Sequence, residues 1–214
     1  MTLDATIAEI GTERLPGACA VPADAAGLVV FAHGSGSSRL SPRNVAVADR
    51  LVAAGFGTLL FDLLTEPESR NRDCVFDIPL LTERLVEAID WVRAEPSTSR
   101  LPIGLFGAST GAAAALLAAV ERPAAVRAVV SRGGRPDLAG PAIVRVRAPT
   151  LFLVGGRDEA VLTINRNAQN ELSCESALVV VPGATHLFAE PGALETVVRE
   201  AIGWFRSHLS GRLR

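Results

Sequence analysis

Lysine is absent from this chain of 214 residues: all 21 basic side chains are arginine, and they are scattered. With a formal net charge of −2 and no basic run, nothing resembles the cationic stripe that tracks a nucleic-acid backbone, so nucleic acid is excluded as a partner. Cysteine is scarce. Cys19, Cys74 and Cys174 are odd in number and far apart, which is neither a disulfide framework nor the paired spacing of a zinc site. They read as free thiols of a cytoplasmic protein that uses no metal and no cofactor. Long apolar runs are missing too. The best of them, "GAAAALLAAV", is too short and too alanine-rich to span a bilayer, which excludes a membrane partner. The opening "MTLDATIAEIG" has no cationic segment leading into an apolar stretch, so no signal peptide is expected. There is no internal repeat and no low-complexity linker.

What remains is an ordinary globular composition, 49% apolar and 21% charged. The length suits a single α/β domain over residues 1–214 with a sizeable core. Mostly apolar runs bounded by Gly or Pro occur at 27–32, 57–61, 102–106, 126–131, 150–154 and 177–181. Such near-continuous runs read as strands buried on both faces of a parallel sheet. Between them, 44–54, 79–95, 109–120, 160–172 and 192–210 read as helices, from apolar spacing or alanine content. Strand–helix alternation predicts a doubly wound, mostly parallel sheet with helices on both faces. The first 26 residues differ, and "IAEIGTERLPGACAVP" reads as two antiparallel strands on the sheet edge.

In open parallel sheets, sites form beyond the carboxyl ends of the strands. The stretch "LFGASTGAAA" places Ser109 at such a strand end, between Gly107 and Gly111. A lone Gly-x-Ser-x-Gly is weak, because a small residue in a tight corner explains it equally well. A serine nucleophile needs a base within reach, and the base needs a carboxylate to orient it. Three histidines are available. His208, late in the last helix, reads as solvated, and His33, just before Gly34, as a loop residue bonding its neighbours. His186 follows the last predicted strand on the same sheet edge and is the candidate base.

Asp158, in "LFLVGGRDEAV", is the candidate carboxylate, with Glu159 second. Taken alone, Asp158 serves equally well as the cap of the helix that follows it. The order Ser109, Asp158, His186, with gaps of 49 and 28 residues, is the chain order of the α/β-hydrolase triad. An oxyanion hole would take one N–H from Thr110 and a second from Gly34 or Ser35 in "FAHGSGSS". That loop lacks both the G-x-G-x-x-G spacing and a Gly-Lys-Ser/Thr ending, which argues against a phosphate cradle. Gly107 and Gly111 then gain a role, flanking a sharp turn where side chains would collide.

The motifs "HGSGSSRLSPRN", "GFGTLLFDLL", "GLFGASTGA", "GGRDEAV" and "PGATHLF" resemble the α/β-hydrolase superfamily from about residue 15 to 208. Within it, they look like the small, cap-free dienelactone-hydrolase-like branch. Dienelactone hydrolases proper use a cysteine nucleophile where this chain has Ser109, so the resemblance implies a serine-esterase mechanism. Only 18 residues (132–149) separate two successive predicted strands, too few for a cap domain. The function expected is hydrolysis of an ester, thioester or lactone through an acyl-enzyme. The alternatives are a non-catalytic binding protein of the same fold and an acyltransferase using the same residues. A small-molecule substrate is the expected partner, with the chain a monomer or homodimer. Arg39, Arg43, Arg132 and Arg135 fall in loops on the site edge, where they read either as surface contacts or as a clamp for an anionic substrate.

Overall fold

The computed structural model describes residues 5–209. Eight strands form one sheet in the order β1-β2-β4-β3-β5-β6-β7-β8. The strands are β1 (Thr6–Ile10), β2 (Leu15–Ala20), β3 (Leu28–Ala32), β4 (Gly57–Phe61), β5 (Ile103–Ala108), β6 (Val126–Arg132), β7 (Thr150–Gly155) and β8 (Ser176–Val181). β1 and β2 pair antiparallel, and β2 meets β4 antiparallel; every other pairing is parallel. The N-terminal hairpin thus occupies one edge, as its sequence predicts. The apolar-run argument holds for β3 to β7, which are buried almost throughout. It fails for β8, which is only half-buried because it is the opposite edge and has a neighbour on one side.

The described residues form seven α-helices: α1 (Pro42–Ala53), α2 (Glu66–Ser69), α3 (Arg72–Val75), α4 (Ile78–Ala94), α5 (Thr110–Glu121), α6 (Glu159–Glu171) and α7 (Ala193–Leu209). Ser210, the expected end of the last helix, lies outside the described residues. Each central strand feeds two cores through its period of two. Leu28, Val30 and Ala32 pack with α4 and α5, whereas Val29 and Phe31 pack with α1 and α7. Alanines 112–115 of α5 are fully buried, so this helix lies close against the sheet and brings its first turn to the end of β5. Between β6 and β7 runs only a 3₁₀ segment, Pro136–Arg145, and there is no cap. No described helix is long and apolar enough to cross a membrane.

Two short helices, α2 and α3, stand in the loop after β4, where the sequence has too few residues to show a helical period. α2 is closed by a reciprocal capping box between Thr65 and Glu68. Glu68 also reaches the buried guanidinium of Arg84 at 3.4 Å, which ties this loop to α4. The segment is therefore held beside the site rather than free above it.

Candidate active site

Ser109 sits between β5 and α5 with φ 51° and ψ −118°. That is a left-handed backbone that a side chain adopts at a cost of order 1–3 kcal/mol. The elbow is fixed on three sides. The Ser109 N–H donates to the Arg132 carbonyl at 3.2 Å, and the Ser109 carbonyl accepts from Ala112 and Arg135 at 3.1 and 3.0 Å. The flanking glycines are required by space. A Cβ on Gly107 would lie 2.5 Å from the Ala112 Cα, and one on Gly111 would lie 2.5 Å from the His33 carbonyl oxygen.

The loops after β7 and β8 bring two more side chains together. Asp158 stands at the cap position of α6, yet its carboxylate makes no capping hydrogen bond. It lies 2.6 Å from His186 Nδ1 instead, so the helix-cap reading of this residue does not hold. The two loops are laced by backbone bonds, Gly156 N–H to Val181 and Arg157 N–H to Ala184 at 2.8 and 2.9 Å. Gly155 allows this approach, since a Cβ there would sit 2.6 Å from the Thr185 carbonyl oxygen. The His186 ring lies over Gly133, whose Cβ position is 3.5 Å from its Cε1 and Nδ1. Gly133 directly follows Arg132, the residue that bonds Ser109. The Ser109 hydroxyl makes no hydrogen bond to His186; between a serine and its base such a contact often tightens only when substrate binds.

Gly34 packs against Ser109, with its Cβ position 3.0 Å from the Ser109 Cβ. The N–H groups of Gly34, Ser35 and Thr110 donate to no protein acceptor among the described residues. Those three residues line a cleft of about 670 Å³ that extends to the loop after β4. Its walls include Gly34, Ser35, Thr110, Arg43, Asp62 and Leu64. Glu159, the second choice for the carboxylate, is the first residue of α6 and makes no hydrogen bond or ion pair with His186, which bonds Asp158.

The other histidines separate cleanly. His33 is buried, its Nε2 accepts from the Leu63 N–H at 3.0 Å, and its Nδ1 lies 3.0 Å from the Gly34 carbonyl. It joins the loops after β3 and β4 as a neutral ring, and burial holds its pKa below the ordinary value of 6.5. Because the folded value is the lower one, the unfolded chain binds the proton more readily. This stability is therefore complete above about 6.5 and is lost as pH falls through the folded value. A His33→Gln variant is expected to lose melting temperature less steeply than the parent below about pH 6.5; parallel curves would contradict this. His208 corrects the sequence reading. It is not solvated but packs on Trp204, ring centroids 4.4 Å apart, with Nε2 3.7 Å from Glu175.

The arginines divide as well. Arg39 is engaged by Asp62 through both its side chain, at 2.6 Å, and its backbone N–H, at 2.7 Å. Arg135 is paired with Asp137 at 2.7 Å. Neither charge is free for substrate. Arg132 is not a loop residue: β6 runs one residue further than its apolar run, and Arg132 ends it with 8% exposure. Its Nη2 donates to Asn44 Oδ1 at 3.3 Å, and its guanidinium lies 6.0 Å from the Phe188 ring centroid. Burial, and then the neighbouring Arg43 charge, pull its pKa from 12.5 to about 10. Asn44 and Phe188 escaped the sequence reading; the period of two along β6, which turns Arg132 toward α1, was the available signal.

A family model for the dienelactone hydrolase family matches residues 15–204. Two Mycobacterium tuberculosis proteins, from strains CDC 1551 and H37Rv and each named "Putative phosphoribosyl transferase", are 57% identical over 201 residues. The match covers 94% of this chain and 45% of theirs, so the chain spans about half the length of these relatives. Among solved structures, a dienelactone hydrolase from Anabaena variabilis is similar with a TM-score of 0.92 at 52% identity, covering 95% of this chain and 96% of that one. Est1E from Butyrivibrio proteoclasticus is similar in fold, with a TM-score of 0.79 at 16% identity, covering 97% and 100% of the two chains.

Proposed function

The chain belongs to the dienelactone hydrolase family, and from that premise we propose that it is a serine hydrolase of esters, thioesters or lactones working through an acyl-enzyme. Ser109 is the nucleophile, His186 the general base and Asp158 the group that holds the imidazole in its reactive tautomer. The observation that carries this reading is the pairing of a strained serine at the head of α5 with a His186–Asp158 contact of 2.6 Å on the same sheet edge.

In the first half-reaction, His186 Nε2 accepts the Ser109 proton as Oγ attacks the ester carbonyl. The protonated ring then delivers that proton to the departing alcohol, thiol or ring oxygen. Asp158 stabilises the imidazolium while it lasts. Charge gathering on the carbonyl oxygen is met by the free N–H groups of Thr110 and of Gly34 or Ser35, which are fixed before substrate arrives. Water, activated by His186, then releases the acid. Acyl transfer to another acceptor would use the same side chains. The phosphoribosyl transferase name belongs to proteins about twice as long, and the elements matched here are those of the hydrolase family, so that activity is not carried over to this chain.

A fluorophosphonate probe and a panel of ester and thioester substrates of graded acyl length test the reading. The parent is expected to label and to turn over at least one class. His186→Ala should not label, whereas His33→Ala, although less stable, should retain some labelling. The reverse pattern would assign the base to His33.

A further inference from the structure

Two cations beside the nucleophile, Arg43 and Arg132, lack the carboxylate partners that Arg39 and Arg135 have. Arg39 and Arg135 are matched by Asp62 and Asp137. Arg132 is buried, and its Nε and Nη1 have no hydrogen-bond acceptor; its neighbour Arg43 also has a buried Nε without one. No carboxylate among the described residues forms an ion pair with either. A buried charge without an ionic partner, as at Arg132, is costly, so the arrangement calls for a counter-charge.

A third source of positive potential converges on the same point. Arg43 is the second residue of α1, which has no acidic residue in its first turn, and cations are disfavoured at a helix N-terminus. The guanidinium of Arg132 reaches that first turn from below, through its hydrogen bond to Asn44. Arg43 itself lines the cleft, together with Gly34 and Thr110, which flank Ser109. An anion seated at Arg43 would meet one guanidinium directly, a second behind it, and the positive end of a helix of 12 residues.

We propose that Arg43, backed by Arg132 and the first turn of α1, forms a subsite for a phosphoryl dianion carried by the substrate that Ser109 attacks. Two unmatched guanidinium groups ask for two negative charges. A carboxylate supplies one and leaves the buried Arg132 charge uncompensated, whereas a phosphate monoester supplies about two at neutral pH. The substrate class is thus an ester or thioester bearing a phosphate on its alcohol or acyl part. This deepens the hydrolase reading and depends on it only for which bond is cut.

The test separates binding from turnover. In the Ser109→Ala background, calorimetric titration at low salt should detect inorganic phosphate, with acetate at least about tenfold weaker. Arg43→Gln and Arg132→Met in that background should each weaken phosphate at least about tenfold. Without phosphate, Arg132→Met should melt no lower than its parent, because it removes an unpaired buried charge; should it fail to fold, Arg43→Gln decides. Absence of phosphate binding, equal binding of acetate, or unchanged binding in the arginine variants overturns the subsite. The wild type should also prefer the acetyl ester of glycerol 3-phosphate over that of glycerol by at least about tenfold in kcat/KM, a preference that shrinks with salt. Equal values would overturn the subsite and leave the hydrolase standing. Failure on every ester with phosphate still bound would overturn the hydrolase and leave the subsite.

Discussion

Ser109→Ala is expected to abolish fluorophosphonate labelling and to lower kcat at least about 10³-fold, a loss of about 4 kcal/mol in transition-state stabilisation. On the proposed mechanism the effect is this large because Ser109 Oγ is the one atom that would form the acyl bond; the free N–H groups around it could only polarise a carbonyl for water. The variant should stay folded, since the Ser109 side chain makes no hydrogen bond and the elbow is held by its backbone. Ser109→Gly carries the argument further. At φ 51° and ψ −118° a side chain is strained and glycine is not, so Ser109→Gly should be equally inactive yet melt above Ser109→Ala. Labelling that persists in Ser109→Ala would remove Ser109 from the chemistry. A glycine variant melting below the alanine variant would show that the turn is not strained.

How far the sequence could be read depended on whether a residue's surroundings are local. The elbow was legible because Gly-x-Ser-x-Gly is a local steric requirement, and the structure places β3 backbone hard against Gly111. The parallel strands were legible because burial on both faces leaves continuous apolar runs. Asp158 was ambiguous for a sound reason: a helix cap and a histidine partner occupy the same position, and only the loop after β8 distinguishes them. His208 was misread although Trp204, four residues earlier on the same helix, was a readable neighbour; what helix periodicity could not supply was Glu175, from the loop before β8. Arg132 was misplaced by a single residue of strand length, which turns a loop cation into a buried one. α2 lies below the length at which periodicity speaks, although Thr65-x-x-Glu68 was a readable capping box.

Gly111→Ala is expected to cost at least about 2 kcal/mol, lowering the melting temperature by roughly 4–8 °C, with kcat/KM down at least about tenfold. Helix propensity alone predicts the opposite sign, because Gly111 is the second residue of α5 and Ala there would gain about 0.8–1 kcal/mol. Sterics win. The added methyl would lie 2.5 Å from the His33 carbonyl oxygen, nearer still to that of Ala32, and both are backbone atoms of the strand and loop beneath. No rotamer relieves such a contact, so α5 must lift from β3. Lifting it separates Ser109 and the Thr110 N–H from Gly34 and Ser35, which is why activity should fall along with stability. Gly203→Ala provides the matched control. Gly203 also lies in a helix, α7, but a Cβ there meets nothing within 4 Å, so propensity decides and the variant should melt slightly higher than the parent. If Gly111→Ala melted as high as Gly203→Ala and kept its activity, the close approach of α5 to β3 would not be what sets the elbow.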